Sequence, residues 1–205
     1  LVAYSSVSHL GFVVLGILSR QMAGLQGSIL QMVNHGLSTG ALFLLVGMLY
    51  DRRHTRLIAE YGGLWRQMPI FAVFFLVVMF ASIGLPGLNG FVGEFLILLG
   101  TFEFNRLFAE QAALGIILGA VYMLWMCQRV LFGPLTEPVQ EHDEAHALPV
   151  DLSRREIGIL VPLALACIAI GVYPKPLLQT FESAARAHVL LDGASTTMAN
   201  AEPLG

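Results

Sequence analysis

Charged residues are scarce in this sequence. Asp, Glu, Lys and Arg make up 12 % of the 205 residues, against about 25 % in a typical soluble domain. Hydrophobic residues account for 56 %, and the mean hydropathy is +0.73. The composition excludes an ordinary soluble domain and predicts a membrane-embedded chain. No basic tract is present either, which argues against a nucleic-acid partner.

Cysteine is equally scarce. Cys127 and Cys167 lie in separate apolar runs without metal-ligand spacing, so we expect reduced core residues. The sequence holds no cysteine cluster, nucleotide loop or cofactor motif, and we predict no metal site, no cofactor site and no catalytic group in this chain. It begins at Leu1 without an initiator Met, and we expect it to be a fragment of a longer membrane protein.

Apolar runs dominate what remains, and a membrane-spanning helix needs about 20 such residues. We predict an all-α polytopic membrane protein with about five transmembrane helices. Residues 1–180 form the membrane part, 181–205 form a C-terminal tail, and a polar connector covers 51–67. The predicted spans are 3–19, 26–50, 68–102 (broken), 112–132 and 157–173.

The segment 134–156 is acidic and contains two prolines, which predicts a solvated loop. Within it, Glu141–His146 places two histidines four residues apart among acids and resembles a fragment of a metal site. No helical pattern supports a metal site, so we interpret this stretch as loop.

The third span is interrupted and carries one acid. Glu94 is the only ionisable group in 70–102, and four glycines and one proline lie within 84–93. Glycine and proline at this density predict a break in the helix. A carboxylate at membrane depth is costly, about 2.5–3.5 kcal/mol on insertion scales for the related Asp. Glu94 is therefore a candidate functional residue, and a structural acid paired with one fixed Arg is the alternative. The predicted break residues are Gly84, Pro86, Gly87 and Gly90.

Charge counting does not show whether 68–102 crosses the membrane once or twice. With either topology the cations divide seven to four between the two sides, so the positive-inside rule gives no answer.

Polar side chains form stripes on the first two spans. Gln31, His35, Ser38 and Thr39 follow i, i+4, i+7 and i+8 spacing, which places them on one helix face. His9 on the first span has serines at i−4 and i−1. Histidine exchanges protons near neutral pH, so such stripes predict a proton path. Polar groups that only hydrogen-bond a neighbouring helix are the alternative.

Arg129 ends the fourth span. Its side chain either extends to the membrane interface or reaches inward as a charge partner for Glu94. The sequence leaves both interpretations open.

Four motifs together resemble the antiporter-like membrane subunits of complex I, and among these the M type, called subunit 4 in mitochondria. The resemblance covers about residues 1–180. The motifs are Leu1-Val-Ala-Tyr-Ser-Ser-Val-Ser-His9-Leu-Gly, Asn34-His35-Gly-Leu-Ser, Gly84-Leu-Pro-Gly…Gly-Phe-Val-Gly-Glu94-Phe, and Val121-Tyr…Gln128-Arg129-Val-Leu-Phe-Gly133.

The resemblance implies a fourteen-helix fold of two inverted repeats, of which this chain supplies about the last five helices. It implies that 68–102 is one discontinuous helix and that the connector faces the cytoplasm. Glu94 then lies at the break in the exit half-channel, with His9 and His35 on the hydrophilic axis. The buried lysines and first-half glutamate of the family would lie upstream of this chain.

The expected function is that of a proton-translocating subunit of NADH:quinone oxidoreductase in the bacterial inner membrane, without a redox centre of its own. NADH, FMN, iron–sulfur clusters and quinone would bind partner subunits, and the lipid bilayer and the L-type and N-type subunits would be its neighbours. A subunit of a multisubunit Na⁺/H⁺ antiporter and a purely structural membrane subunit are the alternatives. The expected proton path comprises Glu94, His35, His9, Ser38 and Gln31.

Overall fold

The computed structural model describes residues 1–134 and 151–187, and its regular elements there are helical. The all-α prediction is thus confirmed. The elements are α1 (Val2–Leu18), α2 (Met22–Arg53), a 3₁₀ turn (Ile58–Glu60), α3 (Leu64–Gln67), α4 (Pro69–Ile83), α5 (Asn89–Phe104), α6 (Arg106–Leu131), α7 (Arg154–Val172) and α8 (175–187).

Three helices, α2, α6 and α7, are long and apolar enough to cross a membrane alone, and α1 and α4 are shorter apolar helices. These three helices begin three to six residues before the apolar runs that predicted them. α6 begins at Arg106, not at 112, because the Asn105 side chain accepts a hydrogen bond from Leu107 N at 2.9 Å. Such a cap stabilises the first turn, which opens on the charged Arg106. The apolar run therefore begins later than its helix does.

The tail predicted from 181 begins inside α8, and residues beyond 187 lie outside the described part. The Glu141–His146 stretch also lies outside it.

The second half-helix, α5, runs antiparallel to α2 along the first part of α2. Gly100 packs directly on Gly24, where a Cβ on Gly100 would overlap the Gly24 nitrogen. We call this interface of α2 and α5 the glycine seam. Further along it, the side chains of Asn89 and Asn34 each donate a hydrogen bond to the other residue's backbone carbonyl oxygen. Glycines on both helices allow this close approach, as in other membrane-helix pairs.

The first half-helix, α4, follows the remaining part of α2. The start of α4 lies beside the end of α2, and Asp151 links the two. The Asp151 carboxylate accepts a hydrogen bond from the Ile70 nitrogen, and the Asp151 carbonyl oxygen accepts one from Arg52. α4 and α5 together therefore cover the length of α2, which has 32 residues and is about 48 Å long. The segment 68–102 crosses once, as one discontinuous helix, and the ambiguity left by charge counting is removed.

The apolar core lies in the half of the bundle nearest the connector 51–67, which we call the connector end. Phe71 and Met79 of α4 are fully buried there against Leu42 and Leu45 of α2, and Leu160 of α7 completes the cluster. The opposite half holds the buried polar residues. The part of α2 nearest the connector thus packs apolar side chains, whereas its first part buries polar side chains such as Gln31 and Asn34 beside the apolar Leu30.

The connector end is fastened by ionic contacts between three helices. The Asp151 carboxylate accepts hydrogen bonds from the backbone N–H groups of Ile70 at 2.8 Å and Phe71 at 3.1 Å, at the start of α4. Arg52 donates two hydrogen bonds to the Glu156 carboxylate at 2.8 and 2.7 Å. Acids at a helix start satisfy N–H groups that have no partner within the helix. These contacts join the end of α2 to the starts of α4 and α7.

Replacement of Asp151 by Ala should destabilise the start of α4. Two N–H groups lose their acceptor, which costs about 1 kcal/mol for a helix cap. The free energy of unfolding, measured by denaturant titration of the purified full-length protein, should fall by that amount. The matched control is Asp51→Ala, because Asp51 is an exposed acid at the end of α2. Equal losses in both variants would contradict the capping role.

Candidate functional site

The break between α4 and α5 is built from backbone conformations that favour glycine. Gly84 follows the last residue of α4 with φ +82°, and Gly87 has φ +93°. The Leu85 nitrogen donates a hydrogen bond to the Phe80 carbonyl oxygen at 3.0 Å, and the Leu88 nitrogen donates one to the Leu85 carbonyl oxygen at 3.0 Å. L-residues with a side chain rarely adopt positive φ. The predicted helix break is therefore present, and its glycines have a conformational reason.

Close contacts also require glycine around the break. A Cβ on Gly90 would overlap the Ala81 carbonyl oxygen, so the two half-helices touch through backbone atoms. A Cβ on Gly84 would lie 2.8 Å from Glu94 Oε2. From the other side, Gly171 of α7 packs on the Gly87 carbonyl. The carboxylate of Glu94 thus lies directly against the break.

Glu94 is buried, with 4 % of its surface exposed. Its Oε1 atom lies 3.1 Å from His9 Nδ1 of α1 and accepts a hydrogen bond from Gln31 Nε2 of α2 at 3.3 Å. A buried carboxylate is tolerated only with such partners. Three helices therefore meet at this one acid.

A line of hydroxyl and imidazole side chains leads away from Glu94. The Ser82 hydroxyl lies 3.4 Å from the second ring nitrogen of His9. The His9 ring centroid lies 5.4 Å from that of His35, and His35 Nδ1 lies 3.0 Å from the Thr39 hydroxyl oxygen. Hydroxyl and imidazole groups each donate and accept. The stripes predicted on two separate spans are thus brought together into one cluster.

Three amides lie beside Glu94 and the start of α5. Asn34 Nδ2 donates to the Asn89 carbonyl oxygen at 2.7 Å and contacts Gln31 Oε1 at 3.5 Å. Asn89 Nδ2 donates in return to the Asn34 carbonyl oxygen at 3.4 Å. These amides fasten the start of α5 to α2 through two hydrogen bonds from side chain to backbone.

The space beside Glu94 is narrow. A cavity of about 10 Å³ is bordered by His9, Ser82, Glu94 and Tyr122, which is room for about one water molecule. A larger cleft of about 490 Å³ lies at the connector end beside Tyr50 and Arg56, and its lining is largely apolar. The cavity beside Glu94 is therefore lined by polar and titratable side chains, and the larger cleft lies away from that acid.

Four of the predicted path residues, Glu94, His9, His35 and Gln31, lie together. The Ser38 hydroxyl instead donates to the Asn34 carbonyl oxygen of its own helix at 2.9 Å. Arg129 is exposed and stacks on Trp125 with 4.4 Å from guanidinium carbon to ring centroid. Its position six residues beyond the cavity-lining Met123 places it about 9 Å further along α6. The charge partner that the structure places beside Glu94 is therefore His9, and the contact described for Arg129 is with Trp125.

The sequence pattern did not assign roles to Ser82, Asn34 and Asn89. Ser82 is a single hydroxyl at the end of an apolar helix, which gives no signal. Asn34 lies beside the stripe of α2, and Asn89 stands at the start of a half-helix. The only available signal was that both are amides near a predicted break, where freed backbone groups need partners.

Comparison with known proteins identifies the family. The family described as NADH:quinone oxidoreductase/Mrp antiporter, TM, matches residues 1–121. The NADH-quinone oxidoreductase subunit M of Rhodobacter capsulatus is 48 % identical over 174 residues, which is 85 % of this chain and 33 % of that protein. The NADH-ubiquinone oxidoreductase chain 4 of Chondrus crispus is 47 % identical over 179 residues, 87 % of this chain and 35 % of that one. The chain spans about a third of the length of these curated relatives.

Solved structures agree with the sequence relatives. A chain of respiratory complex I from Thermus thermophilus with bound NADH superposes with a TM-score of 0.83 at 34 % identity, over 93 % of this chain and 39 % of that one. A chain of the Mrp complex from Dietzia sp. DQ12-45-1b gives a TM-score of 0.75 at 23 % identity, over 90 % and 41 %, which shows a shared fold alone. The resemblance inferred from the four motifs is confirmed.

Replacement of Gly90 by Ala should be far more harmful than replacement of a glycine that has open space around it. The new methyl group would overlap the Ala81 carbonyl oxygen, and such overpacking costs about 1–3 kcal/mol. The readouts are the amount of assembled protein in membranes and its thermal midpoint. Gly158→Ala is the control, because nothing lies within 4 Å of a Cβ there. Similar assembly of the two variants would show that the half-helices need not touch.

Proposed function

We propose that this chain, which belongs to the NADH:quinone oxidoreductase/Mrp antiporter transmembrane family, forms part of a proton-translocating membrane subunit of an NADH:quinone oxidoreductase. Residues 1–180 would be the C-terminal part of its membrane domain and 181–205 its tail. The observation that carries the proposal is the buried Glu94 carboxylate at the helix break, held by His9 and Gln31.

The identity of the relatives favours an oxidoreductase over a cation antiporter. The proteins that are 47–48 % identical to this chain are named as oxidoreductase subunits, whereas the Mrp likeness is 23 % identical. In this proposal, NADH, FMN, iron–sulfur clusters and quinone bind other subunits, and L-type and N-type subunits are the neighbours in a bacterial inner membrane. The chain itself carries protons and no electrons.

His9 is the immediate proton partner of Glu94. One ring nitrogen lies 3.1 Å from the carboxylate and the other 3.4 Å from the Ser82 hydroxyl. Imidazole accepts a proton at one nitrogen and releases one from the other. A proton that moves from His9 to Glu94 converts an ion pair into a neutral pair, so the exchange adds no net charge to the buried site. That balance keeps the transfer inexpensive at membrane depth.

His35 supplies His9 in this mechanism. The two rings are 5.4 Å apart between centroids, and two imidazolium ions at that distance repel each other. His35 therefore passes a proton inward only after His9 has given its own to Glu94. Proton transfer is thereby ordered, with one proton at a time on the histidine pair. A lysine charge from the upstream part of the protein would set when Glu94 releases its proton.

Replacement of Glu94 by Gln or Ala should lower the number of protons pumped per electron in the assembled complex. Loss of a proton-carrying group slows proton transfer at its site roughly 100-fold or more. Electron transfer from NADH to an artificial acceptor should stay normal. Glu103→Gln is the control, because Glu103 is an exposed acid on the same helix. Wild-type stoichiometry with normal assembly in both Glu94 variants would refute the proposal.

Replacement of His35 by Ala should weaken pumping while sparing electron transfer to an artificial acceptor, because the supply of protons to His9 is interrupted. Proton uptake by inverted vesicles, followed with a pH-sensitive dye during NADH oxidation, measures the effect. His54→Asn is the control, since His54 is exposed with φ +54°, a conformation that Asn tolerates. Normal pumping in His35→Ala would reduce His35 to a packing residue.

A further inference from the structure

The Gln31 amide has different neighbours at its two ends. Its nitrogen donates to Glu94 Oε1 at 3.3 Å, and its oxygen faces Asn34 Nδ2 at 3.5 Å. An amide is planar, with a donor at one end and an acceptor at the other. A group that binds the Gln31 amide oxygen therefore also determines that the amide nitrogen faces the Glu94 carboxylate.

Asn34 is itself held in one orientation. Its Nδ2 donates to the Asn89 carbonyl oxygen at 2.7 Å, and a reversed side chain would set two oxygens against each other there. Asn34 and Gln31 are 1 % and 2 % exposed. Gly93 lies against both, because a Cβ on Gly93 would overlap Gln31 Oε1 and lie 3.1 Å from Asn34 Nδ2. Its two acceptors thus hold the Asn34 amide with its nitrogen toward Asn89 and Gln31.

We infer that Asn34 is a positioning residue, which holds the Gln31 amide with its N–H groups toward Glu94 and so sets the pH at which Glu94 takes up a proton. Asn34 acts through Gln31 and does not touch the carboxylate. The inference rests on the proposed function, in which Glu94 is the group that exchanges protons.

The consequence follows from hydrogen bonding alone. An N–H donor favours the ionised carboxylate, and a carbonyl oxygen in the same place favours the protonated acid. Without the Asn34 donor, the Gln31 amide is free to reverse and present its oxygen. His9 of α1 and Tyr122 of α6 are the other titratable groups that border the Glu94 cavity, and His35 lies behind His9. None of these is changed when Asn34 is replaced.

The test compares two amide replacements in the assembled full-length complex. Asn34→Leu removes the donor to Gln31. Asn89→Ala removes a hydrogen bond of the same α2–α5 contact but leaves the Asn89 carbonyl acceptor and Gln31 untouched. The measurement is infrared difference titration of the Glu94 carboxyl band, assigned by its loss in Glu94→Gln. The midpoint of protonation should move up by about one pH unit in Asn34→Leu and stay at the wild-type value in Asn89→Ala.

A double replacement separates positioning from general loosening. In a Gln31→Leu background, Asn34→Leu should add no further shift, because there is no amide left to orient. A shift of equal size in that background, an equal shift in Asn89→Ala, or no shift in Asn34→Leu would each overturn the inference. If Asn34→Leu does not assemble, Asn34→Ser replaces it, since serine fits the site but is too short to reach Gln31.

The band titration also distinguishes this inference from the function itself. Normal pumping in Glu94→Gln would overturn the proposed function, yet the midpoint shift would still show that Asn34 acts on Glu94 through Gln31. An unchanged midpoint together with lost pumping in Glu94→Gln would leave the function standing and remove the role of Asn34.

Discussion

The contact of Glu94 with His9 and Gln31 constrains how the helices pack in the half of the bundle away from the connector. A carboxylate in a membrane is retained only where protein groups replace water around it. Those groups come from α1 and α2, so both helices have to meet α5 at the same depth. The glycine seam between α2 and α5 makes that meeting possible, because it lets the two backbones approach closely enough for a Gln side chain to reach the acid.

The helix break and the polar stripe on α2 are structurally linked. Breaking the span exposes backbone groups that lipid cannot satisfy, and it also leaves the acid beside a turn where helix packing is irregular. Asn34 donates a hydrogen bond to the Asn89 carbonyl oxygen at the start of α5 and at the same time contacts the amide that faces Glu94. The side chain that joins α2 to the start of α5 is therefore connected to the side chain that binds the acid, which links helix packing to the environment of Glu94.

Much of this arrangement could be predicted from the sequence, because glycine, proline and a lone acid are local signals. The break, the stripe on α2 and the importance of Glu94 are all visible in short windows. The pairing of Glu94 with His9 is not, since 85 positions separate them and only the packing of three helices brings them together. The exposed position of Arg129 on Trp125 and the early start of α6 likewise depend on neighbours and caps that hydropathy does not report.

The ionic contacts at the connector end have a mechanical consequence. Asp151 and Arg52 fasten the outer end of α4 to the region where α2 ends, and the glycine seam fastens the outer end of α5 to the start of the same helix. One continuous helix of 32 residues, α2, thus holds the outer ends of both half-helices, α4 and α5. The five residues between Ile83 and Asn89 therefore join two half-helices whose outer ends lie on the same helix, and the break cannot be lengthened or closed without displacing one of these contacts.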